Sequence, residues 1–344
     1  MRQQHEIFAA SPLLDENGNL REPGWARKRL PQYHRADIKA SPMRIKEWDY
    51  YLITDGHIGL ALTIADNGYM GLDSISFLNF DERWQITKSP MRIMPMGKTK
   101  LPERSDDGVT EISRGGYAMA FYHEDGARKL SFHMDNFKGK TAIEGIVSLT
   151  DAPEESMVIA TPFDKPGHFY YNQKINCMRA EGWIELGETH IDLMPDQFFA
   201  VLDWGRGVWT YENTWYWGSA SGELDGVPFG WNLGYGFGNT AAATENALFY
   251  GGKIHKLGEV TFNIPMKDGK EDYMSPWTFT SDDNRFYMDF LPVLDRSAYT
   301  SALVISSDQH QVFGRFTGRI TLDDGTVLPV RDFFGFAEKV VNKW

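Results

Sequence analysis

The sequence predicts an all-β protein built from antiparallel strands. From residue 44 onward, apolar and polar residues alternate with a period of two, as in half-buried strands. Asp-Gly or Asn-Gly pairs separate the alternating runs and are typical of tight hairpin turns. No regular alternation of strands with long helices occurs, which excludes Rossmann and TIM-barrel folds. The predicted turns are Asp55-Gly56, Asn67-Gly68, Asp125-Gly126, Asp268-Gly269 and Asp324-Gly325.

The chain of 344 residues is too long for one ordinary core, so we expect two lobes. Residues 1–43 are interrupted by four prolines and are predicted to form an irregular arm, which Trp25 and Tyr33 would anchor. Residues 44–194 and 195–344 are then the two β lobes. Few helices are expected, and the short candidates are residues 241–248 and 332–343.

Charge and composition exclude several classes of function. The net charge of −12 repels phosphate backbones, so we predict no nucleic-acid partner. No run of about 18 apolar residues is present, so the chain is not predicted to span a membrane. The start of the chain lacks the apolar run of a secretory signal, and the single cysteine, Cys177, fits a reducing compartment. We therefore expect a cytoplasmic protein, and no pattern predicts a cofactor.

The most informative segment runs from Asp203 to Gly238. Between Trp204 and Phe237, ten of 34 residues are aromatic, against 14% in the whole chain. Read as a strand, residues 229–238 put bulky side chains on one face and mostly glycine on the other. Glycine weakens a strand, so several glycines on one face indicate a structural requirement there, such as the close approach of a second element or of a ligand.

Two interpretations of this segment remain open. It forms either a large, bulky core or a cavity lined by aromatic side chains, since ligand pockets are mostly apolar with a few placed polar groups. In the second case the predicted ligand-binding residues are Tyr211, Asn213, Trp215, Trp217, Trp231, Asn232, Tyr235 and His310.

Asp203 and Arg206 are the candidate catalytic residues. A buried Asp–Arg pair would be a structural tie. Alternatively, an aspartate in an apolar site has its pKa raised by desolvation, and aromatic faces stabilise a developing cation. Together these two features would allow protonation of an unactivated alkene, with Asp203 as the donor and Arg206 as the orienting charge.

Other polar groups favour local structural roles. His133 with Asp135, and His190 with Asp192, each share a strand face but lack a third ligand, so no metal site is predicted. His310 lies in a polar run that is typical of a loop.

Several motifs, in order, resemble the family called domain of unknown function 2804. They are Asp203-Trp-Gly-Arg-Gly-Val-Trp209, Trp215-Tyr-Trp-Gly-Ser-Ala-Ser-Gly222, Asn232-Leu-Gly-Tyr-Gly236, Glu245-Asn-Ala-Leu-Phe-Tyr-Gly-Gly-Lys253, His310-Gln-Val-Phe-Gly314 and Gly335-Phe-Ala-Glu338. More distantly, the chain is similar to tandem lipocalin-like proteins: AttH-like proteins, carotenoid 1,2-hydratases, kievitone hydratase and fungal Diels–Alderases. The resemblance implies two lipocalin-like β-barrel lobes with an apolar site at or between them, and transfers no residue role.

Three functions follow as expectations. The first is a lyase or hydratase that binds a lipid or terpenoid-like molecule and hydrates or isomerises its double bond. The second is a non-catalytic carrier of such a molecule. The third is a structural or interaction protein without a pocket. The sequence does not choose among them, and it leaves the oligomeric state open.

Overall fold

The computed structural model describes residues 3–124, 127–302 and 305–343, and strands dominate them. The helical segments among these residues are two 3-10 turns, Arg35–Asp37 and Pro42–Arg44. The predicted all-β class with two β lobes is confirmed. No helix among the described residues is long and apolar enough to cross a membrane. The turn predicted at Asp125-Gly126 lies outside the described residues.

The N-terminal arm packs along the body through three short strands, β1 (Ser11–Pro12), β2 (Gly24–Ala26) and β3 (Pro31–Gln32). Trp25 and Tyr33 are both buried, with 4% and 2% of their surface exposed. Tyr33 packs in the core of the first lobe, whereas Trp25 belongs to an aromatic cluster between the lobes.

The first lobe is a curled sheet of 14 strands that includes β2. Its other strands are β4 (Ile45–Thr54), β5 (Ile58–Asp66), β6 (Met70–Asn79), β7 (Trp84–Lys88), β8 (Met91–Ile93), β9 (Val109–Arg114), β10 (Tyr117–Glu124), β11 (Ala127–Lys138), β12 (Thr141–Thr150), β13 (Met157–Pro162), β14 (Phe169–Leu186), β15 (Thr189–Leu193) and β16 (Phe199–Val208). The path is β7-β6-β5-β4-β16-β14-β12-β11-β10-β9. Off this path, β13 and β15 pair with β14, β8 pairs with β6, and β2 pairs with β13.

The second lobe contains the strands β17 (Glu212–Leu224), β18 (Val227–Tyr235), β19 (Ala247–Tyr250), β20 (Lys253–Lys256), β21 (Val260–Asn263), β22 (Met266–Lys267), β23 (Lys270–Glu271), β24 (Trp277–Ser281), β25 (Phe286–Ala302), β26 (Ile305–Thr321) and β27 (Val327–Lys343). Nine of them form a sheet in the order β20-β19-β18-β17-β27-β26-β25-β24-β21, and β22 pairs with β23 in a small hairpin. Pairing changes from one sheet to the other between Val208 and Glu212, while the domain boundary at 194/195 stays a prediction.

Both predicted helices are wrong. Residues 332–343 belong to β27, which lies between β17 and β26 in the middle of the second sheet. Residues 241–246 form a loop, and residues 247–248 begin β19. Short apolar runs fit either period, and here hydrogen bonds to distant strands decide in favour of the extended form.

The lobes pack face to face. Tyr50 and Leu52 on β4, with Val201 on β16, form one apolar cluster with Trp217 and Phe336 of the second lobe. A polar bridge lies beside it. Asn176 on β14 donates through Nδ2 to Ser219 Oγ at 2.8 Å and to Trp231 O at 3.1 Å. Both faces of the central strands of the first sheet are therefore covered, one by the core of its own lobe and one by the other lobe.

Candidate polar centre between the lobes

Asp203 and Arg206 lie on opposite faces of β16. Side chains alternate along a strand, so two residues three apart point in opposite directions. Asp203 faces the second lobe, while Arg206 enters the interior of the first lobe. The predicted Asp203–Arg206 pair is therefore wrong.

Arg206 acts as a structural tie within the first lobe. Its Nη1 donates to Asp49 Oδ1 at 3.0 Å and its Nη2 donates to Pro102 O at 2.8 Å. The guanidinium carbon lies 4.2 Å from the ring centroid of Trp204. The side chain is fully buried, so this charge is balanced far from the face that meets the second lobe.

Asp203 forms a buried ion pair with Lys174 on the neighbouring strand β14. Its Oδ1 accepts from Lys174 Nζ at 2.8 Å and from Asn172 Nδ2 at 2.5 Å. The Lys174 side chain is 3% exposed. Its ammonium also lies 4.1 Å from the ring centroid of Trp217 on β17, so the cation contacts both lobes.

Trp217 starts a chain of polar contacts in the second lobe. Its Nε1 donates to Asn232 Oδ1 at 2.8 Å. Asn232 Nδ2 in turn donates to Glu245 Oε2 at 3.1 Å and to Glu245 O at 2.9 Å. The opposite partner of Trp217 on β18 is Gly234, and a Cβ on Gly234 would lie 2.3 Å from Glu245 Oε1. Glycine is therefore needed at position 234 on this face of β18, because the loop that carries Glu245 packs directly against the backbone.

Two further carboxyl groups lie near Asp203. Burial raises the pKa of Glu245, with the Lys174 charge and the Asn232 hydrogen bond opposing it, and the Asp203 charge raises it further. Burial also raises the pKa of Glu338, against hydrogen bonds from Trp215 and Gln309. Trp215 Nε1 donates to Glu338 Oε1 at 2.8 Å. Asp203, Glu245 and Glu338 form, with Lys174, a centre that holds one buried ion pair and two carboxyl groups whose pKa values are raised by burial.

Aromatic rings border this centre. Trp48 stacks on Tyr170 with 6.2 Å between centroids, and Tyr170 meets Phe237 edge-on at 5.0 Å. Trp209 contacts Trp48 at 5.1 Å and Trp215 at 5.6 Å. Burial raises the pKa of Tyr170 well above its usual range, and the charges of Glu245 and Asp203 add to the effect.

The structure brings only part of the predicted site together. Asp203, Trp215, Trp217 and Asn232 belong to the polar centre. The others lie elsewhere. Trp231 is fully buried in the core of the second lobe, packed against Phe286 and Phe316. Tyr235 stacks on Tyr216 on that same inner side. Asn213 bonds Thr210 O at 3.1 Å near the start of β17, and Tyr211 is 41% exposed in the loop before it.

His310 lies in β26, so the predicted loop is wrong. It is in register with Lys339 and Tyr216, on the face of the second sheet opposite Trp217. Its Nδ1 lies 2.6 Å from Asp295 Oδ2, and Tyr273 stacks on its ring at 3.8 Å. The sheet therefore separates His310 from the polar centre.

The other two histidines are bonded locally, as the sequence indicated. His133 contacts Asp135 at 3.1 Å and Glu144 at 3.2 Å. His190 lies 3.2 Å from both Glu185 and Asp192. No group that could hold a metal ion occurs among residues 3–124, 127–302 and 305–343.

Sequence reasoning missed Lys174, Asn172 and the place of Glu245. A signal was present for the first two. Asn172, Lys174 and Asn176 occupy every second position within a mainly apolar and aromatic stretch of β14, a pattern that indicates one polar face on a buried strand. Glu245 gave no such signal, because it lies in a loop whose position depends on β18 and β19.

The comparisons with known proteins agree with this architecture. The family described as a domain of unknown function, DUF2804, matches residues 4–344. The chain belongs to this family. The DUF2804 chain also resembles the crystal structure of a candidate AttH protein from Nitrosomonas europaea, with 11% identity, a TM-score of 0.56, and coverage of 96% of this chain and 98% of that one. That likeness shows a shared fold alone.

A second solved structure is kievitone hydratase from Nectria haematococca. It is 9% identical, has a TM-score of 0.49, and matches over 97% of this chain and 98% of that one. No curated protein sequence matches the chain.

Proposed function

We propose that this protein binds an apolar, unsaturated small molecule at the junction of its lobes and hydrates or isomerises a carbon–carbon double bond by acid catalysis. The observation that carries the proposal is the position of Glu245. Its carboxyl group accepts a hydrogen bond from Asn232, and burial raises its pKa. Asn232 also accepts from Trp217, whose ring contacts the Lys174 ammonium of the Lys174–Asp203 pair. An acid beside aromatic faces is the combination that alkene protonation requires.

Glu245, rather than Asp203, is the proton donor in this proposal. Asp203 Oδ1 already accepts hydrogen bonds from the Lys174 ammonium and the Asn172 amide, so this oxygen is occupied by the buried ion pair. Glu245 is partly exposed as a residue, and in this proposal a ligand approaches it from that exposed side. Asp203 and Lys174 then serve as a fixed dipole that faces the developing charge.

The proposed reaction balances without a cofactor. Glu245 transfers its proton to one alkene carbon, and the π electrons form the new C–H bond and leave a cation on the other carbon. Trp48, Tyr170 and Trp215 offer ring faces to that cation. In hydration a water adds and returns a proton to Glu245, and in isomerisation a neighbouring C–H proton returns instead. Ser219, the cross-strand partner of Asn232, lines a cavity of about 20 Å³, which has room for one water.

The experiment has two arms. Extraction of the purified protein with organic solvent, followed by mass spectrometry, identifies co-purifying hydrophobic compounds. The protein is then incubated in D₂O with those compounds and with a panel of isoprenoid alkenes, and products are screened for gained water or carbon-bound deuterium. We expect deuterium uptake that Glu245→Gln abolishes and that Glu181→Gln, an exposed carboxyl on β14, leaves unchanged.

The outcomes separate the three functions. Product formation that survives Glu245→Gln contradicts the assigned donor. A compound that binds both variants equally and is recovered unchanged identifies a carrier. Failure to extract or bind any apolar compound favours an interaction protein. The side-chain-filled core around Trp231 does not support a ligand in the interior of the second lobe.

A further inference from the structure

An apolar surface lies at the outer end of the first sheet. Met91 and Ile93 on the short strand β8 are 64% and 90% exposed. They pair with Leu72 and Met70 on β6, which are partly buried. All four side chains share one face, because Arg92 between them points inward and binds Asp73 at 2.8 Å. We call these four residues the β8 surface.

The charge around the β8 surface differs from that of the rest of the chain. No aspartate or glutamate occurs from Trp84 to Pro102, although the chain has 47 acidic residues and a net charge of −12. The same stretch carries Lys88, Lys98 and Lys100, which are all exposed. This stretch presents apolar side chains together with three exposed lysines in an otherwise acidic protein, which is complementary to an apolar surface with negative charges at its edge.

The β8 surface is continuous with the polar centre. One cross-strand row runs from Met91 through Leu72, Ala65, Trp48 and Gly205 to Asn172, the hydrogen-bond partner of Asp203. Three strand spacings separate Met91 from Trp48, or about 14 Å. All residues in the row lie on the face of the first sheet that meets the second lobe.

We propose that the β8 surface docks the protein on an anionic lipid bilayer, with Met91 and Ile93 entering the headgroup boundary and the three lysines contacting lipid phosphates. Apolar side chains and basic residues contribute together to such binding, and neither alone is sufficient for stable attachment. Docking in this orientation places Trp48, one of the aromatic rings that border the polar centre, close to the bilayer. An apolar ligand dissolved in the lipid then reaches the proposed site without crossing bulk water.

Flotation with vesicles tests this proposal and requires no turnover. Vesicles of phosphatidylcholine alone are compared with vesicles of equal parts phosphatidylcholine and phosphatidylglycerol. We expect binding to the anionic vesicles, weakened roughly tenfold by Met91→Asp/Ile93→Asp and to a similar degree by Lys98→Glu/Lys100→Glu. Met266→Asp is the matched control, because Met266 is also 64% exposed but lies in the second lobe, and it should bind as the unchanged protein does.

Three results would overturn the proposal. They are absence of binding to anionic vesicles, equal binding to neutral vesicles, and binding that the β8 variants leave intact. Light scattering adds a fourth, since self-association abolished by Met91→Asp/Ile93→Asp would assign the surface to a second copy of the chain. Circular dichroism confirms that each variant is folded. Failure here leaves the proposed chemistry untouched, because deuterium uptake from detergent-dispersed alkenes is measured without vesicles.

Discussion

The Lys174 ammonium lies 2.8 Å from the Asp203 carboxylate, and both side chains are buried where the two sheets meet. The pair is formed within the first lobe, yet Lys174 also contacts Trp217 of the second. The charge balance of the first lobe and the packing of the second therefore depend on the same lysine.

Replacement of Lys174 by methionine should strongly destabilise the protein. The variant keeps the length of the side chain but leaves the Asp203 carboxylate buried without its cation, at a cost of about 3–5 kcal/mol in the free energy of unfolding. Urea denaturation measures the loss. Lys253→Met is the control, because Lys253 pairs with Glu154 at the exposed surface and should cost far less stability than Lys174→Met. Equal midpoints for both variants would contradict the role of the buried pair.

Glu338 should make stability fall as pH rises. Its pKa is raised in the folded protein by burial, so its favourable contribution is complete below its ordinary value near 4.5 and is lost as pH rises through the raised value. The difference in free energy of unfolding between the unchanged protein and Glu338→Gln should therefore shift in favour of the variant between pH 4 and pH 8.

Glu154→Gln should change the pH dependence of the free energy of unfolding in the opposite direction. The hydrogen bond from Lys253 lowers the pKa of Glu154, so its contribution is present above the ordinary value and is lost as pH falls. Parallel pH profiles for the two variants would show that burial of Glu338 does not control its titration.

Alanine at Gly205 should displace Trp48 from its place among the aromatic rings that border the polar centre. A Cβ at this position would lie 1.9 Å from Trp48 Cζ2, a distance that the ring can only relieve by moving. We expect a loss of about 1–3 kcal/mol and greater quenching of tryptophan fluorescence by acrylamide. Gly115→Ala is the matched control, since its Cβ would meet no atom within 4 Å. Unchanged quenching in Gly205→Ala would mean that Trp48 does not pack over this backbone.

Cys177 should be unreactive in the folded protein. Burial raises the pKa of its thiol to about 12, so roughly one molecule in 10⁴ carries the thiolate at pH 8. Labelling with iodoacetamide, followed by mass spectrometry, should give negligible modification in buffer and complete modification in guanidinium chloride. Rapid labelling of the native protein would place the thiol at the surface instead.

Much of the fold could be predicted from local patterns. The predicted hairpin is formed by β17 and β18, although β18 ends at Tyr235 and not at Gly238. Trp215 and Trp217 share one face, while Phe229 and Trp231 line the core on the other. These assignments depend only on the alternation of side chains along a strand, which acts between neighbouring positions.

The helix predicted over residues 332–343 is wrong because the structure of this segment depends on distant strands and not on local pattern. The pattern of this segment is ambiguous over short distances. Its strand partners lie 117 to 131 positions away on β17 and 17 to 37 positions away on β26. A short window of sequence cannot predict which distant strands a segment pairs with.

The sequence by itself determined the all-β class, the two-faced hairpin and the concentration of aromatic residues after Asp203, because these follow from side-chain alternation and composition. The tertiary structure alone decided what Asp203 contacts. Strand pairing placed Lys174 and Asn172 beside it, strand alternation turned Arg206 away from it, and the packing of one sheet on the other brought Trp217 and Glu245 near. Proximity between residues distant in sequence depends on strand register and on the packing of the sheets. Neither can be predicted from the pattern of neighbouring residues.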